Sequence, residues 1–187
     1  MEIADTALPG VKRLVPRRFG DSRGFFSETW NAARMAEAEL TFDWVQDNHS
    51  YSAEAGTVRG LHYQAPPMAQ TKLVRVARGA VLDVAVDVRR GSPTYGRWIS
   101  ETLSAENGAQ LLVPRGFLHG FVTLEADTDV IYKVDAFYDP GCDGAVRFDD
   151  PDLGIDWGLD AGAAHLSDKD AAAPLFRAFQ SPFEYEG

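Results

Sequence analysis

Two histidines lie in two glycine-flanked, strand-like stretches, Arg59-Gly60-Leu61-His62-Tyr63-Gln64 and Pro114-Arg115-Gly116-Phe117-Leu118-His119-Gly120-Phe121. Lys72 follows the first and Tyr132 the second. A proton acceptor, a cation and a weak acid are the parts needed to take a proton from carbon beside a ketone and return one elsewhere. An unaided imidazole is too weak a base for such a carbon acid, so the enolate must be stabilised as it forms. Lys72 in a dry cavity, or an arginine or histidine beside it, would hold that charge more strongly than in water. Each residue also has a plainer reading. His62 could be a core histidine satisfied by backbone, His119 a structural hydrogen-bond donor, and Tyr132 a strand aromatic. The gathering of Arg59, Gln64 and Lys72 near His62 favours a polar ligand there, because an apolar core does not collect donors without partners.

Strands are needed to hold these side chains, and strands are what the middle of the chain shows. Residues 72–77 and 80–88 are valine-rich, with Gly79 as the turn between them. In the second run Val81, Asp83, Ala85 and Asp87 alternate with Leu82, Val84, Val86 and Val88. Further short strands are expected over 98–103, 109–113, 120–124, 130–134 and 144–148, separated by turns such as Glu106-Asn107-Gly108 and Asp139-Pro140-Gly141. Over 130–134, Tyr132 shares a face with Val130 and Val134, which points its phenol inward. The best helix signal covers 31–40, capped by Asn31. From about Asp160 the tail is expected to lie over the strands as short helix and coil, with Asp168-Lys169-Asp170 as a cap ahead of Ala171-Ala172-Ala173. Short strands every 8 to 12 residues or so, with turns between, describe one all-β domain over 1–187, a sandwich or barrel with a few short peripheral helices.

The composition, 45% hydrophobic and 25% charged, is that of a soluble globular protein. A net charge of −10 argues against nucleic acid as a partner, yet leaves room for an anionic ligand held by a few arginines. Arg23, in Arg23-Gly24-Phe25-Phe26-Ser27-Glu28, could fork onto a phosphate or be solvated. Gln46-Asp47-Asn48-His49-Ser50 suits turn chemistry and ligand binding equally. The single cysteine, Cys142, supplies neither a disulfide nor a thiolate cluster. No basic, apolar leader and no run of about 20 apolar residues is visible, so a cytoplasmic protein with no membrane association is expected. Pro114-x-Gly116-x-x-His119 is similar to the second metal motif of cupin barrels. Where the first motif would place His-x-His and a glutamate, this chain has His62-x-Gln64, Gln70 and Lys72. An ammonium repels a divalent cation in a closed pocket, so chemistry without metal is expected.

Taken in order, Gly20-x-x-Arg23-Gly24-Phe25-Phe26-x-Glu28, Gln46-Asp47-Asn48-His49-Ser50, Arg59-Gly60-Leu61-His62-Tyr63-Gln64, Gln70-x-Lys72-Leu73-Val74-Arg75, Pro114-x-Gly116-Phe117-x-His119-Gly120-Phe121, Tyr132-Lys133 and Leu166-Ser167-x-Lys169-Asp170 resemble the dTDP-4-dehydrorhamnose 3,5-epimerase family. The likeness runs from about Pro16 to Pro182. It implies a cupin-like jelly-roll barrel, a homodimer, no metal or cofactor, and a dTDP-4-keto-6-deoxy sugar as substrate, feeding L-rhamnose to cell-surface polysaccharide. By the same likeness His62 is the proton acceptor, Asp170 the carboxylate that holds its imidazole, Tyr132 the proton donor and Tyr138 the aromatic stacked on thymine. Arg23, Glu28, Gln46, Asp47, Asn48, Arg59, Lys72, His119, Asp143 and Lys169 would line the sugar-nucleotide site. Asp143 departs from the family's more usual glutamate and is one methylene shorter. A relative inverting a single centre, a metal-dependent cupin and a non-catalytic sugar-nucleotide binder stand as the alternatives.

Overall fold

In the computed structural model, which describes residues 1–186, two antiparallel sheets pack face to face beside a small hairpin. The larger sheet runs β1 (Glu2–Asp5), β2 (Lys12–Val15), β10 (Gln110–Val113), β7 (Lys72–Arg78), β12 (Thr128–Val134), β5 (Gln46–Ser52). The smaller runs β13 (Asp143–Ala145), β6 (Val58–Gln64), β11 (Phe117–Thr123), β8 (Ala80–Asp87), β9 (Trp98–Ser104). The hairpin joins β3 (Arg18–Asp21) to β4 (Gly24–Ser27). The expected all-β sandwich is present. Among the described residues no helix is long and apolar enough to cross a membrane.

Strand alternation makes three apolar layers. Between the sheets, Val74, Val76, Leu111, Val113 and Val130 of the larger meet Val81, Ala85, Leu103, Phe117 and Phe121 of the smaller. Each valine, leucine and phenylalanine among them contributes about 1.5–3 kcal/mol on leaving water. The other side of β8, with Val84 and Val86, turns outward and is covered by Leu153, Trp157, Phe176, Phe179 and Phe183 of the tail. On the far side of the larger sheet, Leu14, Leu73 and Leu112 pack under Met35 of α1 (Ala32–Glu37) and Leu40. The Asn31 side chain accepts the Arg34 N–H at 3.2 Å, and Glu39 at φ 59° ends the helix earlier than composition suggests.

Two local readings change. Gln46–Ser52 is an edge strand, not a turn, and it pairs with β12 from Gln46↔Val134 to Thr128↔Ser52. It escapes notice because one of its faces meets a polar cavity and the other meets solvent. In the tail, Ser167 is the cap, and Asp168–Ala171 forms α2 with Asp170 inside it.

The approach of β6 to β11 is unusually close. A Cβ on Gly60 would stand 2.6 Å from Gly120 Cα and 2.9 Å from the His119 carbonyl oxygen, and Gly60 has φ 130°. The register shifts here, between His119 and Phe121, and sets His119 opposite His62. Gly60→Ala is expected to destabilise the fold by about 2 kcal/mol or more, seen as a lower urea midpoint with unchanged slope. An unchanged midpoint would show that these strands can part freely.

Candidate active site

Where β5 and β7 begin and β6 and β12 end, the apolar interior gives way to polar groups. A cavity of about 330 Å³ opens there. Gln46 and Asn48 of β5, Lys72 of β7 and Tyr132 of β12 enter it from the larger sheet. His62 and Gln64 of β6 enter from the smaller, and Tyr63, Gln70, Tyr138, Asp143 and Lys169 complete the lining. An imidazole and a phenol therefore face one space from opposite walls.

The imidazole is held from behind. His62 Nε2 lies 2.5 Å from Asp170 Oδ1. An ionised carboxylate only accepts, so Nε2 donates, and in the neutral ring the lone pair lies on Nδ1. Asp170 is the third residue of α2, and its N–H is given to the Ser167 hydroxyl at 3.1 Å. In a capping box the acidic side chain would fold back on the cap; here it reaches the histidine instead. Burial alone would push this carboxyl up, but hydrogen bonds from His62, Ser167 and the Gly60 backbone hold it below the ordinary range.

A second pair lies deeper. His119, 6% exposed, meets both Asp83 oxygens through Nε2, at 2.9 and 3.0 Å. Asp83 and Asp143 are also the carboxylates whose charge reaches Lys72. Their attraction offsets only part of the desolvation of that ammonium, which titrates at about 8 instead of near 10.5. Below that pH Lys72 is a cation facing the cavity. Burial pushes the Tyr132 phenol up, Asp143 adds to the shift and Arg59 opposes it, so the group stays protonated at neutral pH. At the rim, Asp143 binds the Lys169 ammonium and accepts from the Tyr138 hydroxyl at 3.3 Å. The hydrogen bond from Lys169 to Asp143 raises the Lys169 pKa, and the carboxylate is 14% exposed.

Not every expected residue is here. Asp47 points to the opposite face of β5, where it pairs with Lys133 at 2.9 Å, since neighbours on a strand face opposite ways. Arg23 is 87% exposed on the hairpin and pairs with Asp21. Glu28 lies 3.4 Å from Arg34 of α1. Arg59 gives its guanidinium to the Tyr51 carbonyl and the Ser52 hydroxyl, within electrostatic reach of Tyr132. Tyr63 and Asp83 stand in strand motifs to which the sequence assigns no role at the site. Asp83 could have been found as an inward carboxylate on the valine-rich β8. Among the described residues no three His, Cys, Asp or Glu side chains are grouped to hold a metal ion.

In a proton NMR titration of lysine-labelled protein, one ammonium should titrate near pH 8, and its signal should vanish in Lys72→Met. A spectrum in which every lysine titrates above pH 10 would contradict the desolvated placement of Lys72.

Residues 5–178 match the profile of the dTDP-4-dehydrorhamnose 3,5-epimerase family. The chain is 50% identical to the dTDP-4-dehydrorhamnose 3,5-epimerase of Sinorhizobium fredii over 185 residues, which cover 99% of this chain and 94% of the relative. It superposes on the Bacillus anthracis enzyme, solved with TDP and pyrophosphate, with a TM-score of 0.91, 49% identity and 94% and 99% coverage of the two chains. A Legionella pneumophila 3,5-epimerase in complex with dTDP-4-keto-L-rhamnose gives 0.94 at 43% identity, covering 100% and 99%. These neighbours share the cupin-like jelly roll.

Proposed function

The chain belongs to the dTDP-4-dehydrorhamnose 3,5-epimerase family and is a carbohydrate epimerase; from that premise we propose which of its side chains move the protons of a dTDP-4-keto-6-deoxy sugar. The observation that carries the assignment is the entry of His62 and Tyr132 into one cavity from facing sheets. Inversion requires a proton to leave one face of the sugar and return to the other.

Nδ1 of His62 takes the proton from the carbon beside the ketone, and the electron pair passes to the C4 oxygen. Asp170 keeps Nε2 protonated and steadies the imidazolium. Lys72 holds the enolate charge in a cavity where water competes weakly. The Tyr132 hydroxyl then protonates the same carbon from the opposite wall. Solvent resets both groups before the next centre is inverted. Tyr138, more than half exposed, offers a ring to the thymine, and Lys169 offers a cation to the diphosphate. Asp143 joins these two, so its shorter side chain is already satisfied within the protein.

The hairpin suits a homodimer. Phe19, Phe25 and Phe26 are 49%, 60% and 70% exposed on it, beside Arg23. We take it as an arm that a second copy covers, which would carry Arg23 toward that copy's site. Phe26→Asp should shift the protein to monomer in sedimentation, and a monomeric wild type would remove this reading.

Incubation with dTDP-4-keto-6-deoxyglucose in heavy water should place deuterium at C3 and C5; a single labelled position would indicate a mono-epimerase, and none would end the proposal. Tyr132→Phe should keep exchange while losing the inverted product. Lys72→Ala should lower kcat about 100- to 1,000-fold. Because the ammonium is lost as pH rises through about 8, kcat/KM should fall above that pH, and the limb should be absent from Lys72→Ala. A profile flat to pH 10 would remove Lys72 from the mechanism.

A further inference from the structure

The segment between β12 and β13 carries Tyr138 and belongs to no ladder. Phe137 and Tyr138 are 59% and 56% exposed. Its backbone is nevertheless tied at four consecutive residues by glutamine side chains. Gln70 Nε2 donates to the Ala136 carbonyl at 2.9 Å. Gln64 Nε2 donates to the Phe137 carbonyl at 3.1 Å and also to that of Met68 at 2.6 Å. Gln46 Oε1 accepts the Tyr138 N–H at 3.1 Å, and Gln64 Oε1 accepts the Asp139 N–H at 2.8 Å. The three amides come from β5, the end of β6 and the turn before β7, between 66 and 92 residues away in sequence. Upstream, Asp135 is pinned by the Thr71 N–H at 2.6 Å and by Arg115 at 3.0 Å.

We propose that Gln64 and Gln70 are positioning residues, which act through this segment to hold the Tyr138 ring ready for the nucleotide base. The inference rests on the reading of Tyr138 given above. Gln64 is 5% exposed, and both of its polar atoms are engaged by backbone, so its amide is committed to the protein before any ligand arrives. An exposed, irregular segment that ordered only on binding would charge the entropy of that ordering to the complex. Amide side chains suit the task because one group both gives and takes an N–H bond. A carboxylate could not donate to the Ala136 or Phe137 carbonyl.

The test is a double-mutant cycle on dTDP affinity, by calorimetry, with Gln70→Ala, Tyr138→Ala and the pair. Gln70 is only half-buried, so its loss leaves the core intact. Gln70→Ala should weaken dTDP about 5- to 10-fold in the wild-type background and by less than about two-fold once Tyr138 is gone. KM for the sugar nucleotide should carry the change, with kcat within about three-fold. Gln70→Glu, which keeps the size of the side chain, should repeat the pattern. Equal losses in both backgrounds, or unchanged affinity in Gln70→Ala, would overturn the proposal. If Tyr138→Ala binds dTDP like the wild type, the inference falls with the Tyr138 assignment. Deuterium uptake at saturating substrate reads the epimerase reaction separately.

Discussion

The contact of Gly60 with Gly120 is the constraint on which this molecule's site rests. Only two residues without side chains let β6 and β11 lie this close, and no L side chain tolerates the Gly60 backbone without strain. The bulge formed there sets His62 against His119. The Gly60 backbone also helps lower the pKa of Asp170, so the strand that bears the imidazole and the carboxylate behind it meet at this residue. The glycines beside the histidines thus have a geometric purpose.

Charge in the cavity is arranged by the two sheets together. The smaller contributes His62 and, through β8 and β11, the buried Asp83–His119 pair. The larger contributes Lys72 and Tyr132. Desolvation lowers the pKa of the ammonium and raises that of the phenol. Both shifts follow from the same loss of water, and both leave the groups in the protonation states the proposed reaction needs at neutral pH. The charges of Asp83 and Asp143 oppose the shift at the lysine.

Around this centre the chain holds its irregular segments with polar side chains. Asp143 ties Lys169 to Tyr138, Ser167 starts the short helix that presents Asp170, and three glutamines fasten residues 136–139. The apolar residues do different work. They bind the tail to one outer face and α1 to the other, which leaves the interior of the sandwich free to become polar at one end.

Alternation in sequence determined the β class and the inward phenol of Tyr132, because a period of two is a local property of extended chain; both faces of β8 are buried, so which one looks inward was decided by folding. Residue types and motif order also singled out His62, Lys72, Tyr132 and Asp170. Only the tertiary structure decided that Asp47 turns away to Lys133 while Gln46 and Asn48 turn in, since β5 carries no apolar face from which its orientation could be read. Folding likewise left Arg23 and Glu28 outside the cavity of their own chain and gave the amides of Gln64 and Gln70 to a distant backbone. Such partners are chosen by proximity across dozens of residues, and no local pattern encodes them.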